Sequence, residues 1–216
     1  RRKIMAIRPQ VELLYHTSPK RSMFFLNFQY FFCFPLLKCG RDAIMAKSRF
    51  SEMFSAMNIN DTLKYIHSVS WLGSVPGLER ITELLHRIGD PQDKVRCVHV
   101  AGTNGKGSTA ATLSKILECA GYNVGLCTSP YIFRFNERMQ FNNSEITDSE
   151  LCDIVEYIKP FADAMEHSPT EFELVCAITF EYFARKGCDL AVVEVGMGGR
   201  LDATNVIKAP LCSVIT

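Results

Sequence analysis

One junction constrains this chain more than any other feature: the apolar run Val95 to Ala101 passes directly into Gly102-Thr103-Asn104-Gly105-Lys106-Gly107-Ser108, and that turn into a stretch of helical character ending near Ala120. The run reads as a buried strand, the stretch as a helix, and Gly121 as its left-handed cap. Val124 to Cys127 follows as a second strand. Asp189 to Val195 is apolar along most of its length, as a parallel strand covered on both faces must be, and Leu211 to Thr216 reads as the next.

Helical signals fill the intervals. Asn60 or Asp61 is positioned to cap a short helix through His67, and Leu78, Ile81, Leu84, Leu85 and Ile88 recur at helical spacing before Gly89. Thr147 and Glu150 are spaced as a capping box ahead of Leu151, Ile154, Val155 and Ile158, and a further helix runs from Glu171 to Lys186, ended by Gly187. Alternating strands and helices imply an α/β domain with a mostly parallel sheet, which binds ligands beyond the carboxyl ends of its strands. The candidate loops are 102–108, 128–138 and 196–205.

Of the 216 residues, 47% are hydrophobic and 22% charged, enough for a real core. A formal charge of +1 leaves no global field to recruit nucleic acid or an anionic membrane, so phosphate binding must be local. Nine cysteines include no C-x-x-C pair, which argues against zinc and a disulfide framework; Cys97, Cys127, Cys176 and Cys212 read as small buried hydrophobes. Residues 1–56 differ in character: Arg1, Arg2, Lys3, Lys20 and Arg21 precede the aromatic run Met23 to Leu37, which Asn27 and Gln29 interrupt. This segment reads as an extension upstream of the true start, with Met45, Met53 and Met57 as candidate starts, and not as a membrane anchor.

Chemistry concentrates in three places. In the glycine turn, backbone N–H groups can wrap phosphate oxygens, the helix N-terminus adds partial positive charge, and Lys106 supplies a cation; Ser108 or Thr109 can face a magnesium ion. The run departs from the common phosphate-loop pattern, since Gly107 separates Lys106 from Ser108. Glu194 stands at the carboxyl end of a strand, followed by Gly196, Gly198 and Gly199, where a carboxylate can reach a metal held between phosphates. Thr128-Ser129-Pro130 and Glu137-Arg138 are less specific: they supply a hydroxyl for magnesium and a guanidinium for a carboxylate or phosphate, or simply a turn and a surface pair. His99 reads as a hydrogen-bonded core histidine.

Taken together, GTNGKGS at Gly102 to Ser108, TSP at Thr128 to Pro130, FNER at Phe135 to Arg138 and EVGMGGRLDATN at Glu194 to Asn205 resemble the folylpolyglutamate and dihydrofolate synthases, which belong with the Mur-type ligases. The resemblance implies a phosphate-loop-containing Mur-ligase-like domain over 57–216, cut before its sheet is complete and before a C-terminal glutamate-ligase domain. It implies ATP on Gly102, Thr103, Asn104, Gly105, Lys106, Gly107, Ser108 and Thr109, magnesium on Ser129 and Glu194, and catalysis by Lys106 and Glu194. The pterin substrate would be lined by Pro76, Gly77, Leu78, Glu79, Thr170, Glu171, Phe172, Glu173 and Leu201. Folate or dihydropteroate and L-glutamate are the implied partners of a cytoplasmic monomer, joined through an acyl phosphate. Tyr131 departs from the histidine common after TSP, and the family's third magnesium ligand falls beyond this chain. A peptidoglycan-precursor ligase shares the phosphate loop but should lack the GLER and RLDATN segments; a nucleotide-binding piece without turnover is the other reading.

Overall fold

Where an apolar strand is covered on both faces, alternate residues must enter two different cores, and strand β8 (Leu190–Glu194) does this: Ala191 and Val193 face one apolar cluster and Val192 the other. The computed structural model describes residues 57–69 and 75–216, together with the backbone of β1 (Ile4–Ile7), β2 (Val11–His16) and β3 (Met23–Leu26). Two units result, Arg1–Ser55 and Ala56–Thr216. In the first, β1, β2 and β3 form an antiparallel sheet in that order. Beyond Leu26 the aromatic run to Leu37 lies outside the described residues. No helix among the described residues is long and apolar enough to cross a membrane.

The second unit is an α/β domain on a six-stranded sheet. Its strands are β4 (Arg96–Ala101), β5 (Val124–Cys127), β6 (Met139–Phe141), β7 (Ser144–Glu145), β8 and β9 (Cys212–Ile215), ordered β7-β6-β5-β8-β4-β9. Pairing among β5, β8, β4 and β9 is parallel; β6 and β7 are antiparallel. Helix α3 (Lys106–Cys119) covers one face over Val98, Val100, Val124, Leu126 and Val192. Helices α1 (Ile59–Ser68), α2 (Glu79–Arg87), α4 (Asp148–Asp163) and α5 (Glu171–Lys186) enclose the larger core on the other, with Phe180 and Phe183 of α5 fully buried. The connection from β4 leads to β5, past β8, while β8 leads to β9 on the opposite side of β4. The carboxyl ends of β4 and β8 therefore flank a topological switch point, the place where such sheets form a crevice.

Two local readings are corrected and one hairpin is added. The cap of α1 is Asn58, whose side chain accepts the Asp61 N–H at 3.0 Å; Asn60 and Asp61 lie inside the helix. The hairpin β6–β7 goes unread in the sequence because its strands are only three and two residues long. Asn142 and Asn143, with φ of 49° and 55°, form its turn, and this adjacent pair is the signal that marks it. Cys212 is exposed on the edge strand β9, whereas Cys97, Cys127 and Cys176 are buried. Burial pushes the thiols of Cys97 and Cys127 up to about 12, which keeps them protonated and inert.

Candidate functional site

Strand register brings the three chemical loops together. In the parallel pairs Val100 is opposite Glu194 and Cys127 opposite Val193, so the residues after Cys127 emerge beside Glu194. There the Ser129 N–H donates to Glu194 Oε2 at 2.9 Å. From the third loop, a Cβ placed on Gly107 would lie 3.4 Å and 3.6 Å from the two oxygens of the same carboxylate. The start of α3 thus lies against an acid that is itself only 4% exposed.

The glycine turn is built for anions by its backbone. Gly105 caps α3 in the left-handed conformation, φ 78°, and makes no side-chain cap, so the first-turn N–H groups of Lys106, Gly107 and Ser108 are not capped by the side chain before them. Thr103 and Asn104 are exposed, and Thr109 closes the first turn through its N–H to the Gly105 carbonyl at 2.9 Å. Half-buried Lys106 makes no ion pair among the described residues. Its charge is available to a ligand.

Beyond Ser129 opens a cavity of about 710 Å³, walled by Pro76, Gly77, Pro130, Arg138, the start of α5 and the 196–203 loop. Glu171, Phe172 and Leu201 line it. Thr170 and Glu173 also line it, but their polar atoms are committed: they form a capping box, and Glu173 receives Arg80 Nε and Nη2, both at 3.0 Å. Leu78 and Glu79 are not in the lining; Leu78 packs on the main core and Glu79 opens α2.

Asp202 and Thr204, to which sequence reasoning gave no role, hold this wall in place. Buried Asp202 accepts the Met197 N–H at 2.8 Å, the Thr204 N–H at 3.0 Å and the Thr204 hydroxyl at 2.5 Å. That leaves the Thr204 oxygen to accept from His99 Nε2 at 2.8 Å, so His99 is a bonded core histidine, and burial lowers its pKa below 6.5. The Asp202-x-Thr204 spacing, an Asx-type turn, is the signal that could have found them. Opposite, Glu137 accepts the N–H groups of Ile132, Phe133 and Arg134 at 2.7–2.8 Å, and these bonds, led by that from Ile132, hold its carboxyl below the usual range. Arg138 faces the cavity with its guanidinium 5.0 Å from the Tyr131 ring and 5.7 Å from that of Phe135. Its Nε is buried and has no hydrogen-bond partner among the described residues.

Magnesium fits the donor set. Glu194 is buried, accepts one backbone N–H, and meets no cationic side chain among the described residues. No group of three or more His, Cys, Asp or Glu side chains gathers as a metal cage among those residues. One carboxylate and one hydroxyl, completed by phosphate oxygens and water, match how this hard cation binds beside nucleotides.

No protein-family model matches the chain. Among characterised proteins it is 46% identical over 169 residues to dihydrofolate synthase/folylpolyglutamate synthase of Bacillus subtilis, covering 76% of this chain and 39% of that protein. The folylpolyglutamate synthase of Lacticaseibacillus casei is 42% identical over 165 residues, covering 74% of this chain and 38% of the relative. The chain thus spans about two fifths of the length of these relatives. Among solved structures, folylpolyglutamate synthase of Thermotoga maritima superposes with a TM-score of 0.68 at 44% identity, covering 73% of this chain and 37% of that one. An FPGS–AMPPCP–folate complex superposes with a TM-score of 0.70 at 42% identity, covering 74% and 40%.

Proposed function

We propose that this chain, which belongs to the folylpolyglutamate and dihydrofolate synthase family, serves the ATP-dependent addition of L-glutamate to a folate or dihydropteroate carboxylate. The observation that carries the reading is the meeting of Glu194 and the start of α3 with Ser129, which lines the cavity. A solved relative that holds AMPPCP and folate together supports ATP and a pterin as the two ligands.

A carboxylate has no leaving group, so an amine cannot displace its oxygen until one is installed. The γ-phosphoryl group of ATP passes to a carboxylate oxygen, releasing ADP and leaving an acyl phosphate; the glutamate amine then attacks the carbonyl, loses a proton and expels phosphate. No side-chain nucleophile is needed. Lys106 and the first-turn N–H groups of α3 hold the phosphates in line and offset the negative charge that develops on the transferred group. Glu194 and Ser129 would hold magnesium, which when bound draws charge from the phosphate oxygens. Arg138, a cation in the cavity wall, is suited to the substrate carboxylate. The apolar and glycine surfaces of Phe172, Gly196 and Leu201 fit a flat ring system.

Isotope-labelled glutamate tests the reading. Given ATP, the natural protein should incorporate label into a folate or dihydropteroate; incorporation into a muropeptide precursor alone would overturn it in favour of a peptidoglycan ligase.

A further inference from the structure

The glycine turn has a second anchor that the reaction chemistry does not use. Thr216, directly after β9, donates its N–H to the Ala101 carbonyl at 2.9 Å and its hydroxyl to the Asn104 carbonyl at 2.6 Å, with a longer contact to Ala101 O at 3.3 Å. It also explains Gly102. A Cβ there would fall 2.1 Å from Thr216 Oγ1 and 2.8 Å from its carbonyl oxygen, and the residue has φ 139°.

The geometry has a directional consequence. Across a trans peptide the C=O and N–H point in opposite directions, so fixing the Asn104 carbonyl on Thr216 turns the Gly105 N–H away from β9. The same holds one turn earlier, where Thr216 fixes the Ala101 carbonyl and so the Gly102 N–H. Without the hydroxyl, the Asn104–Gly105 peptide is free to rotate. Gly105 is already in the left-handed region and glycine imposes little barrier. A donor that must be aligned anew for each ligand binds more weakly than one held ready.

We propose that Thr216 is a positioning residue for the phosphate-binding turn, its hydroxyl orienting the Asn104–Gly105 peptide so that the Gly105 N–H serves as an anion donor. This rests on the nucleotide reading above. The chemistry recognised is a polyphosphate on the side of the turn away from β9.

Two substitutions separate hydrogen bonding from packing. Thr216→Val keeps the shape against Gly102 and removes the donor; Thr216→Ser keeps the donor and removes a methyl group. Affinity for the non-hydrolysable analogue AMPPCP is measured on the full natural protein, with thermal midpoints alongside. Thr216→Val should bind AMPPCP about fivefold more weakly, the worth of one neutral hydrogen bond, while Thr216→Ser binds as wild type and both midpoints stay near wild type. Unchanged affinity in Thr216→Val overturns the proposal. Equal weakening in both variants, or loss of a cooperative thermal transition in Thr216→Val, overturns it too, since Thr216 would then be holding the fold. Wild-type protein that does not bind AMPPCP overturns the nucleotide reading itself, a result distinct from the other three.

Discussion

The two sides of the site are made of different material. On the side of β4 and α3 the working groups are backbone: glycines, first-turn N–H groups and an exposed loop, with Lys106 as the available charge. On the cavity side the working groups are side chains locked in buried pairs, Arg80 with Glu173 and Asp202 with Thr204 and His99. The Lys106 side chain can be changed with little effect on the fold, because it lies outside the core. A wall of buried polar pairs cannot, since removing one partner strands the other away from water.

Substitutions on the two sides should therefore separate function from stability. The largest effect is expected from Arg80→Ala, which leaves the 3% exposed Glu173 carboxylate without its guanidinium and should cost about 3–5 kcal/mol in urea unfolding. Lys106→Ala should lower turnover by about 10²–10³-fold with an unmoved unfolding midpoint; a large stability loss would erase the contrast. Asp202→Asn keeps the shape but replaces one acceptor oxygen with a donor, and should cost about 1.5–3 kcal/mol while weakening pterin binding more than nucleotide binding.

The smallest effect is a pH dependence. Burial depresses the His99 pKa, so below about 6.5 the unfolded chain takes up a proton that the folded chain refuses, and stability falls as pH drops through that window. Comparing wild type with His99→Gln between pH 7.5 and 5.5 should show a shallower loss in the variant. A loss as steep or steeper in the variant would mean that burial does not hold the imidazole neutral.

The same contrast explains what could be read in advance. The glycine turn, the acid at the end of β8 and the helix stop at Gly187 are local in sequence, because backbone geometry demands particular residue types at particular spacings. The cavity wall depends on partners far apart in the chain, such as Arg80 with Glu173 or His99 with Thr204, and spacing along one segment carries no trace of them. Thr170 and Glu173 illustrate the ambiguity. Their spacing fits a capping box, and that local role engages the polar atoms that a substrate would otherwise meet. At Asn58, Asn60 and Asp61, three residues able to cap stood within one turn, and only the geometry selects Asn58.

The claim on which the function rests is that Glu194 shares a cation with nucleotide phosphates held at the glycine turn. It is tested most directly by the affinity of AMPPCP with and without magnesium, for wild type and for Glu194→Gln. Magnesium should tighten binding to wild type and leave the variant's affinity unchanged. Equal tightening in both would contradict the account.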